Sequence, residues 1–249
     1  MINKYLAKIV GIFGFKLVEK NLIKNKRLLI NNYYSLDLIL NHLFLNNNIK
    51  DVIQIGSNDG DRFDPLNKYL NKYQTNTIFV EPIKKYFEKL KKNYSNKKNY
   101  IFENSAISNK NGIYEMYKVN EKNLNLYDDH VAGISSFNKS HLLKHSVKKK
   151  HIISEKVNSL TVSSLMKKYD IKNLDLLFMD VEGHEGVILN NFFENIELRP
   201  IIVFEFIHIK NDIFEKIVEN LKSKKFLYSE FNENLICFPE EKKHMFELN

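Results

Sequence analysis

Asp180, Glu182, His184 and Glu185 crowd into the segment MDVEGHEG, and Glu205 and His208 follow in FEFIH. Carboxylates and imidazoles at this density suit one task above others, which is taking a proton from a weakly acidic hydroxyl as a new bond forms. Either group can be tuned to titrate near neutral pH. Asp180, Glu182, His184 and Glu205 are therefore the candidate bases, and their types alone do not choose among them. A histidine in the first turn of a helix is often only a surface residue. The same Asp180 and Glu182 could instead hold Mg²⁺ or Ca²⁺, oxygen-seeking ions that lower a hydroxyl's pKa. Zinc is not expected, because there is one cysteine and no paired-histidine spacing of the HExxH type.

Three further polar groups follow apolar runs. They are Gly56-Ser57-Asn58-Asp59-Gly60 after VIQI, Glu81 after TIFV, and Ser105-Ala106 shortly after YIF. Something must bring these scattered residues together, and the alternation of the chain supplies it. Strands are predicted at Val52–Ile55, Thr77–Val80, Tyr100–Phe102, Leu174–Met179 and Ile201–Phe206. Helical patterns separate them at Pro65–Leu70, Pro82–Lys92, Val162–Tyr169 and after Gly183, with another at Asp212–Ser223. A closing hairpin is expected at Phe226–Phe231 and Leu235–Phe238. This rhythm predicts an α/β fold with a mostly parallel sheet and helices on both faces. Ligands of such sheets sit at the carboxyl ends of the strands, where all four polar groups fall.

Two regions break the rhythm. Residues 1–48 read as an N-terminal helical extension, with helices at Tyr5–Ile23 and Ser35–Leu45, ahead of a main domain over 49–249. The apolar stretch Tyr5–Val18 is interrupted by Lys8 and Lys16. It falls short of the ~20 residues needed to cross a bilayer. No small-residue cleavage site follows, so an amphipathic helix is expected, with residues 1–24 lying on the core, a partner or a membrane surface. The alternating GIYEMYKV and the polar, His-bearing stretch after it read as a hairpin plus an inserted lid at about 119–154. In that lid His130, His141, His145 and His151 mix with Lys144 and Lys148–Lys150. They either meet a phosphate on an acceptor or stand in a solvated loop.

Composition sets outer bounds. The chain has 249 residues, is 43% hydrophobic and 27% charged, and carries a net charge of +8. That is an ordinary soluble globular balance with a bias toward anionic partners, although its lysines are dispersed rather than gathered in a block. Its single cysteine, Cys237, lies in the apolar run LICF, which excludes an intrachain disulfide and points to a buried residue in a reducing, cytoplasmic setting.

The turn at Gly56 discriminates between ligands. A pyrophosphate fingerprint needs a second glycine where this chain has Asn58, and it tolerates no acid such as Asp59 nearby. S-adenosylmethionine carries an ammonium, a carboxylate and a sulfonium but no phosphate, so a polar, acidic turn suits it. Glu81 then stands where a carboxylate accepts hydrogen bonds from ribose hydroxyls, or it is an acid favoured by the helix dipole beyond Pro82.

The runs IGSNDGDRFDPL, FVEP at 79–82, NSAIS at 104–108, ISSF at 134–137, LDLLFMDVEGHEGVIL at 174–189 and IIVFEFIH at 201–208 resemble the FkbM family of S-adenosylmethionine-dependent methyltransferases over about residues 50–210. The resemblance implies a Rossmann-like class I methyltransferase with a seven-stranded, mostly parallel sheet. It implies methylation of a hydroxyl, typically on a sugar or polyketide-type product. It sets Gly56, Ser57, Asn58, Asp59 and Gly60 against the methionine half of the cofactor, Glu81 on the ribose, Ser105 and Ala106 near the adenine, and Asp180 beneath the sulfonium. Gln54 departs from the general methyltransferase pattern, in which an acid often precedes the loop. The expected acceptor is thus a saccharide, a nucleotide-linked sugar or a related glycoconjugate. The competing readings are an NAD-dependent oxidoreductase, a nucleic-acid-binding or RNA-methylating protein, and a membrane-surface scaffold. An oxidoreductase lacks its G-x-G-x-x-G, and the nucleic-acid reading lacks a basic-aromatic binding module.

Overall fold

The computed structural model describes residues 35–46 and 49–246. The helix expected at Tyr5–Ile23 lies outside them. The strands are β1 (Asp51–Ile55), β2 (Asn76–Val80), β3 (Tyr100–Glu103), β4 (Ala106–Ile107), β5 (Gly112–Val119), β6 (Ser135–Ser136), β7 (Ile152–Leu160), β8 (Leu176–Met179), β9 (Ile201–Glu205), β10 (Phe226–Phe231) and β11 (Asn234–Pro239). Among them run helices α1 (Leu36–Leu45), α2 (Asn67–Lys72), α3 (Lys84–Asn93), α4 (Asp129–Gly133), α5 (Lys139–Lys144), α6 (Val162–Lys168), α7 (Glu185–Asn195) and α8 (Asn211–Ser223).

The main sheet has seven strands in the order β10-β11-β9-β8-β1-β2-β3. Its neighbours pair in parallel except for β11, which runs antiparallel to both β9 and β10. Period-two alternation sends each strand's residues to opposite faces. Ile53, Ile55, Leu177, Met179, Ile202 and Phe204 enter one core, packed under α6, α7 and α8. Val52, Leu176, Phe178, Ile201 and Val203 enter the other, under α1, α2 and α3. Both faces are covered, so the central strands are apolar on both sides, as parallel strands must be.

Helix starts follow local chemistry. Ser35 caps α1 by accepting the Leu38 N–H at 3.2 Å, and Thr161 caps α6 by accepting that of Ser164 at 3.0 Å. The helix expected from Pro82 begins at Lys84, because the Glu81 carboxylate takes the Ile83 N–H at 2.8 Å. The one expected from Pro65 begins at Asn67, because Asp64 holds the Leu66 N–H at 2.8 Å.

A second sheet, β4-β7-β5-β6, was not anticipated. The hairpin expected within 112–154 is in fact β5 paired antiparallel with β7, which extends to Leu160. The lid is the excursion between those two strands. Cys237 is fully buried in β11, and burial pushes its thiol well above the usual range. No helix among the described residues is long and apolar enough to cross a membrane.

Candidate active site

The strand ends of β1, β2 and β8 meet around a cavity of about 310 Å³, lined among others by Gly56, Asn58, Glu81, Ser105, Asp180 and His184. Gly56 is the hinge of this arrangement. Its φ is +80°, and a Cβ there would lie 1.9 Å from the Asp180 carbonyl oxygen. Only glycine permits both the left-handed turn and that close approach of β1 to β8. The Gly56 and Ser57 N–H groups donate to the Val80 carbonyl at 3.0 and 3.2 Å, so the turn is tied to β2 as it leaves the sheet.

Glu81 organises the rest of the turn. Its Oε2 accepts the Asn58 N–H at 2.9 Å while Oε1 takes Ile83. Each oxygen keeps a lone pair for a ligand. Asn58 is itself left-handed (φ 46°), and its side-chain amide donates to the Gly133 carbonyl at 3.2 Å, tying the turn to the lid. Asp59 turns onto its own loop. Its Oδ1 accepts the Asp61 and Arg62 N–H groups, and its carboxylate pairs with Arg62 at 3.4 Å. Ser105 and Ala106 lie buried between β3 and the start of β4.

Sequence reasoning passed over Asp64. Gln54 Nε2 donates to its Oδ1 at 3.0 Å, while Asp64 Oδ2 and Gln54 Oε1 are buried with no hydrogen-bond partner. Burial, the largest influence, lifts Asp64 to about 6. Unpaired buried acceptors are costly, and these two line the cavity. The acid that Gln54 lacks is thus supplied ten residues on. The cavity wall as a whole carries six acidic side chains (Asp59, Asp64, Glu81, Asp129, Asp180, Glu182) against three basic ones (Arg62, Lys85, Lys89), in a chain of opposite net charge.

The candidate bases separate into distinct environments. Asp180 opens onto the cavity but is ringed by protein, and desolvation, aided by Glu182, Asp64 and Glu233, raises it to about 7. One ligand atom each of Asp180, Glu185 and Glu205 lies within 4.8 Å of the others. Burial and mutual repulsion lift Glu185 to about 8 and Glu205 to about 9. His184 packs against Phe137 with the rings tilted by 56° and their centroids 4.6 Å apart, its Nε2 lies 3.0 Å from Ser108 Oγ, and desolvation lowers it to about 4. An imidazole so depressed is a weak proton acceptor.

Glu182 is left-handed (φ 55°), which reverses the chain after Asp180. Its Oε2 sits 2.7 Å from His141 Nε2. The expected Asp180–Glu182 metal pair is therefore divided, with Asp180 facing the other carboxylates and Glu182 facing imidazoles. Two histidines of the lid depart from the solvated-loop alternative. His141 and His151 are buried rather than solvated, and His151 Nδ1 lies 2.7 Å from the Tyr127 hydroxyl.

Glu81, raised by burial to about 7, Asp180, Glu185 and Glu205 all bind their protons more tightly folded than unfolded. Their stabilising contribution is complete below the unfolded value of ~4 and is lost as pH rises through the folded values. Above ~6.5 the histidines no longer oppose this trend. The ligand-free melting temperature should fall between pH 7 and 9, and a flat or rising profile in thermal scans would contradict these assignments.

Residues 54–228 match the family model of the methyltransferase FkbM domain. The chain belongs to this family. That domain family is one of methyltransferases that use S-adenosylmethionine, and the fold here is α/β with a seven-stranded, mostly parallel sheet. This FkbM-domain chain is similar in fold to methyltransferase FkbM from Methylobacillus flagellatus KT, at 10% identity and TM-score 0.45 over 77% of this chain and 44% of that one. It therefore spans less than half the length of that protein. Two others are the Methanococcus jannaschii fibrillarin pre-rRNA processing protein (10% identity, TM-score 0.39, 76% and 65% coverage) and a ribosomal protein L11 methylase from Lactobacillus delbrueckii subsp. bulgaricus (10%, 0.38, 77% and 70%). No curated protein sequence matches the chain. Family membership sets the oxidoreductase reading aside. The residues of the FkbM-domain cavity fit the cofactor on their own terms, since a cationic ligand suits an acidic wall with two unpaired acceptors.

Proposed function

We propose that this methyltransferase methylates a hydroxyl of a saccharide, nucleotide-linked sugar or related glycoconjugate, with Asp180 as the proton acceptor. The supporting observation is a carboxyl group raised to about 7 at the open face of the cavity, beside the Gly56 turn. Such a group is ionised often enough near neutrality to accept a proton and basic enough to keep it. S-adenosylmethionine, when bound, supplies an electrophilic methyl group. Glu81 would hold the ribose, and Gln54 with Asp64 the ammonium. As the acceptor oxygen takes the methyl, its proton passes to an oxygen of Asp180. Glu205, raised to about 9, is protonated at pH 7 and leaves Asp180 the ionised member of the cluster. His184 is too weak a base for this role, and Glu182 is engaged by His141.

The acceptor class rests on the family, with Lys89 and His130 at the cavity wall as groups that could meet a phosphate on the acceptor. Mg²⁺ is not required by this scheme; Asp180, Glu185 and Glu205 are the carboxylates that could hold it. The buried Cys237 fits a cytoplasmic enzyme, and peripheral membrane contact through residues 1–24 belongs to the same proposal. The test is to follow S-adenosylhomocysteine release over a panel of nucleotide-linked sugars. Turnover should appear on at least one, with kcat/KM rising through a pKa near 7. Methyl transfer to RNA alone would overturn the acceptor assignment.

Glu81→Ala should weaken S-adenosylhomocysteine binding by about 1–3 kcal/mol, the cost of losing a buried charged hydrogen-bond partner. Calorimetry on variant protein with the parent's circular dichroism checks this, and unchanged affinity would refute the ribose role.

A further inference from the structure

Four side chains from three separate segments converge beside the cavity mouth. His141 in α5 and His145 at its C-terminal cap stand one turn apart, as i and i+4. Glu182 comes from the turn after β8, and His208 from the turn after β9. One ligand atom from each lies within 4.8 Å of all the others. The ring centroids are 4.7 Å apart for His141–His145, 4.6 Å for His141–His208 and 5.3 Å for His145–His208. Glu182 Oε2 completes the group, 2.7 Å from His141 Nε2.

We propose that His141, His145, His208 and Glu182 bind one transition-metal ion of the zinc class, which staples the β5–β7 insertion to the ends of β8 and β9. Three imidazoles and one carboxylate form a donor set for Zn²⁺ rather than for the oxygen-seeking Mg²⁺ or Ca²⁺. A tetrahedral zinc with bonds of ~2.0–2.1 Å holds its ligand atoms roughly 3.3–3.5 Å apart. The 2.7 Å contact of Glu182 with His141 and the 4.8 Å limit on the whole group lie on either side of that value.

The backbone supports the same reading. Glu182 (φ 55°) and Gly183 (φ 93°) are both left-handed, and a Cβ on Gly183 would come within 3.3 Å of the His208 carbonyl oxygen. The turn that aims Glu182 at the imidazoles is thus packed on the backbone of the fourth ligand. Four protein ligands fill a tetrahedron, which marks the site as structural. It adjoins the carboxylate cluster of Asp180, Glu185 and Glu205, with His208 Nε2 3.6 Å from Glu205 Oε2, but uses none of those three carboxylates as a ligand. The spacing HLLKH at 141–145 pairs two histidines at i and i+4, as HExxH does, but without its glutamate.

The test uses the full chain stripped with a chelator and titrated with Zn²⁺ alone, without S-adenosylmethionine. One zinc should bind per chain and raise the melting temperature, and Co²⁺ in its place should give the intense visible bands of a four-coordinate site. His145→Gln and His208→Gln should each weaken zinc binding by more than the ~10–100-fold that loss of an outer-shell partner costs. Absence of stoichiometric zinc on the unmodified chain would overturn the proposal, and so would zinc bound by both variants as tightly as by the parent. S-adenosylhomocysteine binding, titrated separately on the same samples, leaves the cofactor assignment to stand or fall on its own.

Discussion

Gly56→Ala should abolish S-adenosylhomocysteine binding and destabilise the fold by on the order of 3 kcal/mol, the scale at which a residue is forced into an incompatible backbone geometry. Two costs act together. The left-handed φ of +80° costs an L-residue roughly 1–2 kcal/mol. The new Cβ would also meet the Asp180 carbonyl oxygen at 1.9 Å and its carbon at 2.8 Å. Both obstacles are backbone atoms, so no side-chain rotation relieves them. β1 and β8 must separate at the place where the cavity forms, and Glu81 then loses its hold on the Asn58 N–H. Thermal denaturation and calorimetry read the two effects separately. Parent-like stability together with parent-like affinity would show that the turn does not form the cavity floor.

Asp180→Asn should lower kcat by ~10²–10⁴-fold, the usual contribution of a general base, while S-adenosylhomocysteine affinity stays within a few-fold. The sign of the pH effect is specific. Asp180 is raised to about 7, so it is protonated and idle below that value and active above it. The parent's rate therefore climbs with pH through about 7, and the variant loses that limb. The alternatives give different results. A His184 base would give an ascending limb near its lowered value of about 4. If Asp180→Asn turns over like the parent, the base lies elsewhere.

The sheet was legible in the sequence because each buried strand is a short run of apolar residues closed by a polar turn, as in VIQI before GSNDG and LLFM before DVEG. Whether a residue is needed for its side chain or its lack of one was legible too, since Gly56 could be read as a turn before its neighbours were known. Strand β7 was missed because IISEKVNSL carries only Ile152, Ile153, Val157 and Leu160 as apolar residues, with neither a continuous apolar run nor a regular alternation to mark it. Site directions were less accessible. D-x-E suggests two carboxylates acting together, but the left-handed φ of Glu182 sends its side chain away from Asp180 toward the lid. HLLKH was in plain view, yet its partners Glu182 and His208 are distant in sequence and join it only when the insertion folds over β8 and β9. Asp64 was overlooked for a similar reason, because its value comes from facing Gln54 in a buried position.

Calorimetric titration of the folded chain with S-adenosylhomocysteine bears most directly on the cavity's assignment. One equivalent should bind, NAD should give no heat, and the signal should vanish in Gly56→Ala and shrink in Glu81→Ala. A folded chain that ignores S-adenosylhomocysteine, or binds it equally well in both variants, would contradict the account.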